Sequence, residues 1–302
     1  WAHSHDGMGS LAAADEEAVP GNVWATKFQG PQISTGAHLR FLSQRNAMTI
    51  AWLVALPSRR LQEQPREQRL SLLSESIKLH DPVCCTSATL KHDLIRLFSG
   101  RFWANKKVVE VGSADGGTTN VLSMLFGAVF TVELHLPNIK ISQRGWTAAL
   151  PNVIHLNLDS GAPYAFSFLA GNEIDVAFID GAHDQQHVFG DTFGLLHDVP
   201  CCLGLLIYHD YCDAEVFAVT EAFVAAGVLR PRGSVGREQW DRFWCRDGRP
   251  EAFAFDVALQ GMELHSRLEK MRRERRGLTS LSAAEARLNG SRWTLTHDYP
   301  FA

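Results

Sequence analysis

Residues 106–133, KKVVEVGSADGGTTNVLSMLFGAVFTVE, decide the fold of this chain. A β-branched run at 108–111 predicts a buried strand, and the Gly-rich turn GSADGG follows it directly. A segment suited to a helix, 118–126, leads to a second strand, 129–132, which ends on the acid Glu133. This order indicates a site for a nucleoside, because the turn lets the backbone and a ligand approach closely and the acid can accept hydrogen bonds from a ribose.

Length and composition describe an ordinary soluble protein with enough chain for a large core. The chain has 302 residues, of which 45% are hydrophobic and 21% are charged. The 29 Lys and Arg against 33 Asp and Glu give a net charge of −4, which offers no electrostatic case for an obligate nucleic-acid partner. The apolar run 47–57 is too short to span a bilayer as a helix, which needs about 20 residues. We therefore expect a packed element there and no membrane span.

The cysteines indicate neither a zinc knuckle nor a thioredoxin-like motif, since the chain has no CxxC pair. Cys201, Cys202 and Cys212 lie beside predicted core strands. We expect them to be buried free thiols, which favours a reducing compartment and hence a cytoplasmic protein.

Strands and helices alternate from residue 108 onward. Predicted strands are 108–111, 129–132, 153–156, 174–179 and 203–208, with a late edge strand at 242–245; predicted helices are 118–126, 138–149, 164–169, 185–196 and 214–226. Such alternation predicts a mostly parallel central sheet with helices on both faces. Residues 1–69 are expected to be a poorly ordered N-terminal extension and linker, 70–250 the main domain, and 251–302 a helical C-terminal extension.

Polar groups follow each of the five predicted strands. In an open parallel sheet, ligands bind outside the carboxyl ends of the strands, so these groups are expected to converge. They are the turn GSADGG, then Glu133, Asp159, the run Asp180-Gly181-Ala182-His183-Asp184, and the pair His209-Asp210.

The glycine turn distinguishes between cofactor classes. A dinucleotide fingerprint reads GxGxxG, whereas Ala114 occupies the position of the middle glycine here. Asp115 in the turn and Glu110 before it would repel a phosphate, but they would favour a ligand that carries an ammonium group. This points to S-adenosylmethionine (SAM). An NAD(P)-dependent Rossmann oxidoreductase and a non-catalytic SAM-binding protein remain alternatives.

Residues 110–119, EVGSADGGTT, resemble the first motif of class I SAM-dependent methyltransferases. Residues 178–191, FIDGAHDQQHVFGD, and 205–211, LLIYHDY, are similar to a small-molecule subfamily of bacterial type. The resemblance covers about residues 86–245. It implies a Rossmann-like class I methyltransferase fold, a SAM-binding methyltransferase domain at 70–250, and O-methylation of a small hydroxylated acceptor.

The resemblance also implies roles for single residues. Glu133 would bind the ribose hydroxyls, Asp159 would lie near the adenine amino group, and Asp180 would lie at the methyl-transfer end. The complete predicted cofactor set is Glu110, Gly112, Ser113, Ala114, Gly116, Glu133, Asp159 and Asp180.

A metal and a general base are the remaining predictions. In catechol-type relatives an acid at the position of Asp180 and an acidic pair after the fifth strand hold Mg²⁺, but the pair here reads His209-Asp210. Asp180 and Asp210 are predicted to hold Mg²⁺ with several waters, or another divalent cation, and His209 would suit a softer ion. His183 is the predicted catalytic base, with Asp180 or Asp184 to orient it or to activate a metal-bound hydroxyl. The alternative for His183 is a helix-start residue that bonds to the backbone.

Overall fold

A computed structural model describes residues 65–79, 86–145, 147, 150–199, 201–238 and 248–274, and a seven-stranded sheet forms the centre of this described part. The strand order is β3-β2-β1-β4-β5-β7-β6. The strands are β1 (Lys107–Val111), β2 (Ala128–Glu133), β3 (Val153–Asn157), β4 (Val176–Ile179), β5 (Leu205–His209), β6 (Leu229–Val235) and β7 (Ala252–Val257).

The first five strands pair in parallel, and β7 runs antiparallel between β5 and β6. β1 lies in the middle of the parallel part, with β2 and β4 as its neighbours. The polar groups that follow the parallel strands therefore gather at one edge of the sheet, as expected. The predicted fold class, Rossmann-like with a mostly parallel central sheet, is confirmed.

Helices cover both faces of the sheet. They are α1 (Arg66–Leu79), α2 (Ala88–Phe98), α3 (Gly117–Leu125), α4 (Leu136–Arg144), α5 (Gln185–Asp198), α6 (Ala214–Ala225) and α7 (Gly261–Glu274). Side chains of β1 alternate between two buried clusters: Val108 packs with α1, α2 and α3, whereas Val109 and Val111 pack with α5, α6 and α7. Burial on both faces explains why these strands read as continuous apolar runs.

Several predicted boundaries differ from the structure. The helix expected at 164–169 is a series of turns with a short 3-10 helix, Ser167–Leu169, and the one expected at 138–149 is Leu136–Arg144, which has a proline in its first turn. The sheet also continues past residue 250, because β7 lies in the range assigned to a helical C-terminal extension. The expected strand at 242–245 and residues 1–64 of the extension predicted at 1–69 lie outside the described residues, whereas 66–69 form the start of α1.

The cysteines differ from the expectation of buried free thiols. Cys201 and Cys202 are exposed, and Cys212 is buried but disulfide-bonded. These residues therefore give no support to a reducing compartment. Within the described parts of the chain, we find no helix with the length and hydrophobicity needed to cross a membrane.

Candidate active site

The turn after β1 lies tightly against the end of β4. Gly112 has a φ of 85°, and its N–H donates to the carbonyl of Val132 at 2.8 Å. A Cβ at this position would lie 2.1 Å from the carbonyl oxygen of Asp180. Only glycine combines the left-handed backbone with this close approach, so the turn joins the ends of β1 and β4.

The same turn touches the acid at the end of β2. The N–H of Ala114, which has a φ of 44°, donates to Glu133 Oε2 at 3.0 Å. Glu133 Oε1 accepts from the N–H of His135 at 2.8 Å. Each carboxylate oxygen can accept a second hydrogen bond, and the side chain is only partly buried. The glycine turn and the predicted ribose acid thus form one continuous surface.

Two other members of the predicted cofactor set are buried, Ser113 in the turn and Glu110 in β1. Ser113 is 4% exposed, and its hydroxyl has no hydrogen-bond partner among the described residues. Glu110 is fully buried beneath the turn, where Oε2 accepts from the hydroxyls of Thr119 at 2.6 Å and Thr131 at 2.8 Å. Burial raises the pKa of Glu110 to about 8, so it holds its proton at neutral pH. Direct contact between Glu110 and a cofactor stays a prediction.

Asp159 follows β3 on an exposed loop that packs against the start of α5. Its Oδ1 accepts from the N–H of Gly161 at 3.0 Å. A Cβ on Gly190 would lie 3.1 Å from the Cα of Gly161, so this loop can approach α5 only where the helix has a glycine. Asp159 therefore belongs to the same edge of the sheet, and its role toward adenine stays a prediction.

His209 lies at the centre of a cluster of carboxylates. Its Nδ1 is 2.8 Å from Asp180 Oδ1 and 3.1 Å from Asp210 Oδ2, and its Nε2 is 3.4 Å from Glu251 Oε1. Because carboxylates only accept hydrogen bonds when ionised, this geometry favours protons on both ring nitrogens. Burial lowers the pKa of His209, but the charges and hydrogen bonds of the three acids outweigh it and raise the pKa well above its usual value. The ring is therefore a buried cation, 2% exposed, at the end of β5.

Glu251 is a member of this cluster that the sequence analysis missed. It is fully buried just before β7, and its carboxylate accepts from the N–H groups of Ser87 at 2.7 Å and Arg237 at 3.0 Å. These bonds and the one from His209 outweigh the effect of burial and hold the pKa of Glu251 below its usual value. No pattern in the sequence marks this acid, since its partners lie far away along the chain.

His183 pairs with Asp210, whereas the sequence analysis expected Asp180 or Asp184. His183 Nε2 is 3.2 Å from Asp210 Oδ2, and the histidine side chain is 36% exposed. Asp184 instead caps α5, where Oδ1 accepts from the N–H groups of Gln186 and His187, and it forms an ion pair with the ring of His187. The role assigned to Asp184 is thus corrected: a carboxylate used to cap the helix and pair with His187 does not orient His183.

Asp180, His183 and Asp210 bring three metal-ligating side chains to one point. One ligand atom from each lies within 4.8 Å of the others. Both predicted metal ligands are therefore brought together, and the predicted base is added to them. Asp210 has a φ of 47°, an unusual backbone conformation for a residue with a side chain, which aims its carboxylate at both histidines.

No protein-family model matches this chain, and no curated protein matches it in sequence. Among solved structures it is similar to the O-methyltransferase from Bacillus cereus in complex with SAH, at 15% identity and a TM-score of 0.42, over 73% of this chain and 96% of that one. It is also similar to phosphoethanolamine N-methyltransferase 1 of Haemonchus contortus, at 12% identity and a TM-score of 0.46, over 70% of this chain and 54% of that one.

A third similar structure is an rRNA methylase from Streptococcus thermophilus, at 13% identity and a TM-score of 0.41, over 59% of this chain and 99% of that one. All three names are those of methyltransferases, and two of them name an acceptor, phosphoethanolamine and rRNA. At such identities and scores these likenesses decide neither the activity nor the acceptor of this chain.

Proposed function

We propose that this protein is a SAM-dependent methyltransferase that transfers a methyl group to the hydroxyl of a small acceptor. The observation that carries the proposal is the bond from the Ala114 N–H to the Glu133 carboxylate. It joins a glycine turn to an acid with spare acceptor capacity, and the His183–Asp210 pair lies at the same edge of the sheet.

The residues at this edge suit a nucleoside with a cationic, phosphate-free tail. Glu133 can accept further hydrogen bonds from two ribose hydroxyls, and the buried hydroxyl of Ser113 is still without a partner among the described residues. Asp115 lies exposed in the turn and would repel a pyrophosphate. This set of groups fits SAM better than NAD(P), because a dinucleotide needs a turn without acids.

When bound, SAM supplies an electrophilic methyl group on a sulfonium. His183 would remove the proton from the acceptor hydroxyl. Its Nε2–H donates to Asp210 Oδ2, so the lone pair is on Nδ1 and the proton would be taken there. Asp210 would stabilise the imidazolium that forms, much as a carboxylate stabilises the histidine of a catalytic dyad.

We infer that the reaction needs no metal, because the charge of His209 can take the place of a cation between the acids. The buried ring of His209 donates to Asp180 and Asp210 through Nδ1. Its positive charge compensates the negative charge of these two acids, which were predicted to hold Mg²⁺. A metal-dependent reaction is the second candidate, because Asp180, His183 and Asp210 could hold a divalent cation. His183 would then be a ligand and could not also be the base at the same nitrogen.

Ligand binding to the full chain tests the proposal. Thermal shift and calorimetric titrations would compare SAM, S-adenosylhomocysteine and NAD⁺, each with EDTA or with Mg²⁺. We expect the two sulfur nucleosides to raise the melting temperature and NAD⁺ to leave it unchanged, since only a ligand of the native state stabilises it. A shift with NAD⁺ alone would favour the oxidoreductase and overturn the proposal.

A turnover assay separates an enzyme from a non-catalytic binding protein. The protein would be incubated with SAM and a panel of phenols and catechols, and the release of S-adenosylhomocysteine would be measured. We expect turnover with at least one acceptor, and its loss in Asp180→Ala with the fold intact. SAM binding without turnover on any member would instead support the non-catalytic reading.

A further inference from the structure

A second cluster of metal-binding side chains lies at the other end of α5. One ligand atom each from His197, His265 and Glu269 lies within 4.8 Å of the others. His197 is in the last turn of α5, and the other two are four residues apart on one face of α7. Two helices that are distant in sequence therefore present two imidazoles and one carboxylate to the same point.

Contacts with Asp198 and Phe193 fix the orientation of the His197 ring. Its Nδ1 is 2.9 Å from Oδ1 of Asp198, whose side chain is only 3% exposed and also accepts from the N–H of Phe166 at 3.2 Å. The ring stacks on Phe193, with centroids 5.3 Å apart and planes 14° apart. With the proton held at Nδ1, Nε2 carries the lone pair that a metal needs. Histidine ligands of metals almost always donate their other nitrogen in this way.

His265 and Glu269 have the freedom to complete a site. The imidazole of His265 lies 5.3 Å from that of His197, centroid to centroid, and is exposed. Glu269 pairs with Arg272 through Oε2 at 2.9 Å, so Oε1 can face the histidines. Ligands about 2.0–2.1 Å from a tetrahedral ion are separated by about 3.3 Å, so the three side chains need to close by at most about 1.5 Å.

We propose that His197, His265 and Glu269 bind a divalent transition metal of the Zn²⁺ type, with water as the fourth ligand. Two imidazoles and one carboxylate are the ligands that Zn²⁺ accepts, whereas Mg²⁺ and Ca²⁺ prefer oxygen alone. The site is separate from the one around His183, because a helix of the length of α5 spans about 20 Å. Bound metal would fasten α7 to α5 and so hold this end of the described chain on the core.

Metal titration of the full chain tests the site. Co²⁺ would be added to the metal-free protein, the visible absorption of four-coordinate Co²⁺ would be recorded, and Zn²⁺ would then displace it. The test variant is His265→Gln with Glu269→Gln, both on the face of α7 that His197 approaches. The matched control is His135→Gln with Glu263→Gln, which removes an exposed histidine and an exposed glutamate outside the cluster.

We expect the wild type and the control to bind one equivalent that the test variant lacks. Asp198→Asn should weaken Zn²⁺ binding by about 10- to 100-fold, as is usual for the loss of a carboxylate behind a metal-bound histidine. Far-UV circular dichroism checks that each variant is folded, and if the double variant is not, His265→Gln alone decides. A test variant that keeps the equivalent at unchanged affinity, or a Co²⁺ spectrum without four-coordinate bands, would overturn the proposal.

Discussion

His209 Nδ1 lies 2.8 Å from Asp180 Oδ1, at the end of the strand where the resemblance implied an acid of a metal-binding pair. The ring also reaches Asp210 and Glu251, so a side chain that carries positive charge connects three acids inside the protein. Two adjacent buried carboxylates repel each other unless a cation lies between them. In this protein the cation can be a side chain, and the acids then do not need an ion to stay in place.

Replacing His209 should therefore destabilise the fold. In His209→Gln the amide still offers two N–H donors, but it carries no charge, so the three acids lose their compensating cation. We expect the free energy of unfolding to fall by about 3 kcal/mol or more, the usual cost of breaking a buried ion pair. Urea denaturation measures it, and the control is His92→Gln, a half-buried histidine of α2 whose Nδ1 lies 3.2 Å from the Ser74 hydroxyl. A loss below about 1 kcal/mol would mean that the three acids are already neutral.

Removal of metal should leave methyl transfer unchanged if His209 supplies the charge. We expect equal rates of S-adenosylhomocysteine release in EDTA and in Mg²⁺. The variant His209→Asp creates an acidic pair that lacks the charge of the histidine. Its folded state should therefore be unstable in EDTA and should gain stability from Mg²⁺ or Mn²⁺. A wild-type rate that drops in EDTA and recovers with a divalent cation would favour the metal-dependent mechanism through Asp180, His183 and Asp210.

Loss of the Glu133 carboxylate should weaken SAM binding without affecting the chemistry of the bound complex. Hydrogen bonds to a charged group contribute about 1.5–3 kcal/mol, which corresponds to a rise in Kd of roughly 10- to 150-fold in Glu133→Ala. Calorimetry with S-adenosylhomocysteine measures the change, and Glu263→Gln, an exposed acid of α7, is the control. If Glu133→Ala bound the ligand as tightly as the wild type, the ribose would have to bind elsewhere.

The central sheet and the chain segments at its carboxyl edge were predictable because both depend on local patterns. Val108, Val109 and Val111 alternate between two buried layers, and so form the continuous apolar run that marked β1. Gly112 and Glu133 could be found because each directly follows such a strand. These signals need no knowledge of which strand pairs with which.

The contacts of the site were less predictable because they depend on pairing between distant segments. Glu251 reaches His209 only because β7 enters the sheet beside β5, and Ser87 reaches Glu251 from 164 residues away. The strand β6 carries Pro231, Gly233 and two arginines, and a register shift at the proline and glycine, so its pattern lacks the period of a strand. The choice of Asp210 over Asp184 as the partner of His183 depends on which carboxylate caps α5, which spacing alone does not decide.

His183 should control the rate of transfer rather than the affinity for the cofactor. A positioned general base contributes about 10²- to 10⁴-fold, so kcat of His183→Gln should fall within that range while Kd for SAM changes little. Asp210→Asn should give a smaller loss, because the base is still present but its imidazolium is less stabilised. Single-turnover rates with saturating SAM measure both variants, and Asp184→Asn, which alters the cap of α5 and not the pair, is the control. Equal losses in Asp184→Asn and His183→Gln would indicate a structural effect of the helix start.

Glu110 should make the stability of the protein depend on pH in an unusual direction. Its pKa is about 8 in the folded protein, against 4.5 for the unfolded chain, so the folded state binds more protons between these values. The free energy of unfolding therefore declines as pH rises, by about 1.4 kcal/mol for each pH unit in this window. Burial likewise raises the pKa of Asp191 to about 7 from 3.8. This group therefore also lowers the free energy of unfolding as pH rises, over a lower range of pH than Glu110.

Replacing each acid by the amide of the same shape separates the contributions of Glu110 and Asp191 to the pH dependence of stability. Glu110→Gln imitates the protonated acid and keeps an oxygen that can accept from Thr119 and Thr131, so it should match the wild type near pH 5 and exceed its stability at pH 8. Asp191→Asn should make the free energy of unfolding depend less steeply on pH below pH 7 than it does in the wild type. Urea denaturation from pH 5 to pH 8.5 measures the slopes, with Glu263→Gln as the control, which should follow the wild type throughout. A wild-type stability that rises over this range would show that Glu110 is ionised in the folded protein, and that its burial is relieved by a contact with a cation or with water.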